Sequence, residues 1–68
     1  MSEVLKALKF FGPMTVKEIL EKVKMLPKLE DVTEYWVRGN LIKLKEKRCI
    51  RITHIKGEIV AAFESDLH

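Results

Sequence analysis

The sequence predicts an α+β domain in which a three-helix core is followed by a C-terminal antiparallel β-hairpin. Three observations carry this. Apolar residues recur at helical spacing in three successive segments, Val4 to Phe11, Val16 to Val23 and Val37 to Leu44. Gly12-Pro13 and Pro27 punctuate those segments. Residues from Cys49 onward alternate apolar and polar around a Lys56-Gly57 pair.

The first helix is expected over residues 3 to 11. Ser2 is its cap, and Val4, Leu5, Leu8 and Phe11 form its apolar stripe. Gly12 suits a left-handed C-cap, and Pro13 removes a backbone donor, so the helix stops there. Thr15-Val16-Lys17-Glu18 has capping-box spacing: the Thr15 hydroxyl accepts from the Glu18 amide while the Glu18 carboxylate reaches back. A second helix over 16 to 24 follows, with Val16, Ile19, Leu20 and Val23 inward.

Pro27 disfavours helix at Leu26 and suits the first position of a new one. Asp31 and Glu34 offer another capping box, so the third helix is expected to begin between Pro27 and Val32. Its end has two readings. A long helix runs to about Lys47, with Val37, Leu41 and Leu44 inward. A short one stops at Arg38, with Gly39-Asn40 as C-cap and Leu41 to Lys45 as a strand. At about 100° per residue the long helix puts Val32, Tyr35, Gly39 and Ile42 opposite its core stripe. Leu41 to Lys47 contains mostly good helix formers, which favours the long form.

The hairpin is common to both. Cys49 to Ile55 alternates, Lys56-Gly57 is a two-residue turn, and Glu58 to Glu64 returns. Pairing Ile55 with Glu58 sets Ile52 opposite Ala61 and Ile50 opposite Phe63. Ile50, Ile52, Ile59, Ala61 and Phe63 then share one face, and Arg51, Thr53, Val60 and Ala62 the other. His54 falls inward or at the sheet rim. Ser65 to His68 reads as a polar tail.

The 68 residues form one domain with a modest core, and many domains of this size dimerise to gain buried area. A hydrophobic content of 47% beside 34% charged residues is globular rather than disordered. No apolar run approaches the ~20 residues of a membrane span. Met1-Ser2-Glu3 is not the basic start of a signal peptide, so a cytoplasmic location is expected. The single cysteine, Cys49, has no disulfide partner and reads as a small apolar residue. His54 and His68 have no partners at metal-ligand spacing, so neither metal nor cofactor is expected. Serines, histidines and carboxylates fall in unrelated local contexts, and the three glycines are isolated; no enzymatic activity is expected. One asparagine and no glutamine stand against ten lysines, a bias of the kind seen in heat-adapted chains.

The run Trp36-Val37-Arg38-Gly39-Asn40-Leu41-Ile42-Lys43-Leu44-Lys45-Glu46-Lys47-Arg48-Cys49-Ile50 joins an apolar-periodic helix to a basic turn and a strand. Together with the order helix, helix, helix, hairpin, it resembles the winged helix-turn-helix superfamily over nearly the whole chain. Two departures are visible. Arg48 stands where that family often carries glycine. Val37 follows Val23 by fourteen positions, longer than the compact pattern, so extra helical turns or an extended loop must absorb the difference.

The resemblance implies binding of double-stranded DNA, with transcriptional regulation by a homodimer as the expected role. The net charge of +3 and pI near 9.2 agree with a polyanionic partner. Lys43, Lys45, Lys47, Arg48 and Arg51 form a basic cluster suited to phosphates. Arg38 is the candidate for guanine contact, and its competing partner is Glu34 one turn away. Tyr35 is a further candidate for base or phosphate. Thr15 and Lys17 lie at the start of the second helix, and Lys56 at the hairpin tip. Against this, Glu30, Asp31 and Glu34 make the front of the third helix acidic. The outward stripe Val32, Tyr35, Gly39 and Ile42 supports a rival: a winged-helix module that binds protein, or a subunit of a nucleic-acid-processing complex.

Overall fold

The structure, a computed structural model, describes residues 2–64; the tail Ser65 to His68 lies outside the described residues. Three helices and a three-stranded antiparallel sheet make up the α+β fold: α1 (Glu3–Phe11), β1 (Met14–Thr15), α2 (Val16–Val23), α3 (Glu34–Glu46), β2 (Ile50–Ile55) and β3 (Glu58–Phe63). The layout is compatible with a winged-helix-like arrangement.

The local signals act as expected at the first two helices. The Ser2 hydroxyl accepts from the amides of Val4 and Leu5 at 3.1 and 3.3 Å. Thr15 and Glu18 form a complete capping box: the Glu18 amide donates to Thr15 Oγ1 at 3.2 Å, and the Thr15 amide to Glu18 Oε1 at 2.9 Å. Gly12 departs from expectation. Its φ of 91° is left of the barrier, but its ψ of −167° lies outside the left-handed helical well, in a region open essentially to glycine alone. Phe11 also departs: it is 53% exposed, and Ala7 takes its place in the buried stripe. The Lys22 ammonium lies 4.6 Å from the Phe11 ring centre and caps it.

The connection from α2 to α3 is an extended loop, which absorbs the long spacing noted above. Two turns shape it, with the Leu29 amide donating to the Leu26 carbonyl at 3.2 Å and the Val32 amide to the Leu29 carbonyl at 3.3 Å. Lys28 adopts φ 71°, which ends any helical run from Pro27. These turns deliver Leu29 and Val32 to the core edge. The expected capping box at Asp31 therefore does not form. The helix begins instead at Glu34, after a Thr33 cap that makes no side-chain bond. Val32 precedes the helix and packs inward, so it drops out of the outward stripe.

From there α3 takes the long register, and Leu41 to Lys45 is helix, not strand. Val37, Leu41 and Leu44 are its buried residues. The end is a Schellman motif: the Arg48 amide donates to the Lys45 carbonyl and the Cys49 amide to the Leu44 carbonyl, both at 2.9 Å. Arg48, at φ 60°, occupies the left-handed position that usually holds glycine.

The hairpin has the expected register, with Ile50 opposite Phe63, Ile52 opposite Ala61 and Ile55 opposite Glu58. Lys56 and Gly57 both have positive φ, 52° and 82°, as a type I′ turn requires. The short strand β1 was not expected. It pairs with β3 through Met14–Ala61 and Thr15–Val60, giving the order β1-β3-β2. The core lies between the helices and the inner sheet face. Val4, Ile19, Val23, Val37 and Ala61 are fully buried there, and no charged or polar residue is buried among the described residues.

Candidate nucleic-acid interface

The expected site residues fall into two groups on the two halves of α3. The first surrounds a groove of about 370 Å³ between the start of α2, the front half of α3 and the hairpin tip. Thr15, Lys17 and Arg38 line it together with His54, Gly57, Glu34 and Glu58. Thr15 is committed as a cap. Arg38 is also engaged, with Nη2 3.9 Å from Glu34 Oε1 across one helical turn. Both side chains of that pair are about half exposed, so it is worth a few tenths of a kcal/mol at most. Two carboxylates beside two cations leave this groove electrostatically mixed.

A second groove of about 310 Å³ runs along the same flank of α3. Arg38, Lys45 and the exposed Ile42 line it on the helix side, with Leu41, Ile52 and Ile59 as its less exposed apolar residues. His54 lines both grooves. In the sequence its alternation with Ile50 and Ile52 places it inward or at the sheet rim; the structure leaves it exposed, opposite Ile59.

The second group lies at the back of α3. Lys43, Lys45, Lys47 and Arg48 are exposed and make no ion pair among the described residues. Arg51, on β2, is different: its Nε lies 3.1 Å from Glu64 Oε1, so its charge is partly spent within the fold. Lys56 stands at the hairpin tip.

Helical spacing distributes these cations on two sides. Arg38 and Lys45 flank the hairpin groove. Lys43 and Lys47 fall toward the side of Asn40, whose Oδ1 lies 3.5 Å from the Ser2 hydroxyl at the start of α1. Between them runs the outward stripe. Tyr35 is 86% exposed and Ile42 60% exposed, and Gly39 sits between them. Among the described residues, the non-glycine positions at positive φ are Lys28, Arg48 and Lys56, all cations. At each, asparagine or glycine would be the less strained choice.

Among the described residues no group of histidine, cysteine and carboxylate side chains is placed to hold a metal ion, and no helix is long and apolar enough to cross a membrane. A separate apolar surface, sharing no lining residue with the α3 grooves, lies on α1 and the end of α2. Phe10 and Phe11 are exposed there and line a groove with Ala7, Val23 and Leu26, edged by Glu3, Lys6 and Lys22. Comparison with models of known protein families, with curated proteins and with solved structures finds no match to this chain.

Proposed function

We propose that the chain is a winged helix-turn-helix domain that binds double-stranded DNA and regulates transcription by occupying its site, as a homodimer. One observation carries the reading: cations that make no ion pair among the described residues stand on both flanks and at the end of α3 around an open outward face. Lys43 and Lys47 are on one side, Lys45 on the other, and Arg48 at the C-terminus. A 13-residue helix is about 20 Å long and about 10–12 Å wide, which suits a major groove about 12 Å wide. Cations on both flanks then face phosphates of both strands. The hairpin supplies Lys56 toward a neighbouring groove.

The test is titration of a duplex of about three helical turns at two salt concentrations. Each phosphate contact contributes about 0.9 to the slope of log affinity against log salt. The double variant Lys47→Glu, Arg48→Glu is expected to weaken binding and flatten that slope by nearly two contacts. Wild-type affinity and slope in this variant rule out the face.

A second reading, a protein-interaction module or subunit of a nucleic-acid-processing complex, is favoured by the exposed Phe10 and Phe11 surface. The same surface is the natural place for the homodimer contact. Phe10→Glu is expected to dissociate a dimer in sedimentation without changing the fold, because Phe10 is 82% exposed.

A further inference from the structure

We propose that the outward stripe of α3, Tyr35, Gly39 and Ile42, reads the C5-methyl groups of pyrimidines, thymine foremost, in the major groove. The inference rests on the DNA-binding reading and specifies what that surface recognises.

The stripe is apolar and largely exposed, with Ile42 at the edge of the hairpin groove. Tyr35 and Ile42 are among the most exposed large hydrophobic side chains of the fold, although Val37, Leu41 and Leu44 on the same helix are buried. It is nearly empty of hydrogen-bonding groups. The Tyr35 hydroxyl and the Glu46 carboxylate are its polar members, and the adjacent Arg38 guanidinium is directed to Glu34. A surface of this kind cannot read bases through the paired donors and acceptors of arginine, asparagine or glutamine. In the major groove the apolar group that distinguishes one base edge from another is the C5-methyl of thymine.

Gly39 adds an independent observation. A glycine inside a helix weakens it relative to alanine. Nothing inside the fold requires glycine here: an added Cβ meets no atom within 4 Å, and the backbone is ordinary helix. The missing side chain lowers the centre of the stripe, which lets a groove floor come close to the helix backbone. Charge complementarity identifies the occupant as nucleic acid, because Lys43 and Lys47 border the stripe on one side and Arg38 and Lys45 on the other. Tyr35 and Ile42 are separated by about 10 Å along the helix axis. That distance is about three base-pair steps.

The experiment uses four duplexes of about three helical turns: alternating dA-dT, the same with deoxyuridine for thymidine, alternating dG-dC, and the same with 5-methyl-deoxycytidine. Each pair differs only in the methyl group. The methylated member is expected to bind about fourfold more tightly for each methyl contacted, the factor that burial of one such group confers. Ile42→Ala is expected to shrink the difference and leave the salt slope unchanged; Tyr35→Ala is expected to do the same. Thermal melts check the fold of both variants, whose wild-type side chains are largely exposed. Equal affinity within both pairs, with binding retained, overturns methyl reading and leaves DNA binding standing. No binding to any of the four at low salt overturns both. Ile42→Ala that converts a dimer to a monomer in sedimentation also overturns the proposal and assigns the stripe to a second copy of the chain.

Discussion

Replacing Arg48 with glycine is expected to stabilise the protein while weakening its hold on DNA. Arg48 sits at φ 60° in the Schellman motif that ends α3, with both motif hydrogen bonds at 2.9 Å. A side chain in the left-handed well crowds Cβ against the following carbonyl and costs about 1–2 kcal/mol. Glycine removes that crowding but frees the unfolded chain, which takes back about 0.4–1 kcal/mol. Arg48 is exposed and makes no ion pair among the described residues, so no packing or charge contact is lost. The net gain is about 0.5–1 kcal/mol, or about 2–8 °C in melting midpoint for a domain of this size. Arg48→Ala is the control, because it removes the charge and keeps the Cβ. Urea and thermal unfolding of the three proteins decide the matter. If the alanine and glycine variants are equally stable, backbone strain at this position is not the cause, and the argument is wrong. In DNA titrations both variants are expected to lose the same single phosphate contact, lowering the salt slope by about 0.9.

Four further outcomes are expected. Gly39→Ala gains about 1 kcal/mol in helix stability, read by thermal melting, and loses DNA affinity; a gain in both would show that nothing approaches the helix there. Thr15→Ala breaks the capping box and costs about 1 kcal/mol in urea unfolding, whereas Thr15→Ser retains most of it. Glu64→Ala releases Arg51 from its 3.1 Å partner and tightens DNA binding with a steeper salt slope, at a stability cost of about 0–1 kcal/mol. Unchanged affinity in that variant places Arg51 off the DNA face. The scarcity of asparagine and glutamine beside ten lysines predicts a calorimetric midpoint above the mesophile range of about 45–65 °C.

The elements legible in the sequence are those whose signals are local. Ser2, the Thr15–Glu18 box and the Lys56-Gly57 turn act within a few residues of themselves, and each does what its chemistry dictates. Hairpin register followed because turn and alternation admit the same pairing. The start of α3 was not legible, since Asp31 and Glu34 form a capping pattern that tertiary packing overrides. Leu29 and Val32 reach the core only if the chain turns at Lys28 instead of winding. Strand β1 was hidden for a different reason. Two residues carry no periodicity, and their pairing with Ala61 and Val60 depends on a partner far along the chain. At the candidate site the cations were visible as a run and the Arg38–Glu34 pair as a helical spacing, but the pairing of Arg51 with Glu64 was not. Glu64 lies far from Arg51 in sequence, and the shared lining of Lys17, Arg38 and His54 arises only when three elements converge.

The position of β3 bears on how the chain folds. This strand is the last element in sequence among the described residues and the central one in the sheet. The β2–β3 hairpin closes locally, on the microsecond scale of such turns. Pairing of β1 to β3 must wait for closure of the long intervening loop, which carries the larger entropic cost. On the ribosome, where residues emerge at about 5–20 per second, the helices are exposed for seconds before the strand that seals their core exists. Val4, Ile19 and Val37 therefore lack part of their cover until Ala61 has been synthesised, so the complete core forms only after β3 has emerged.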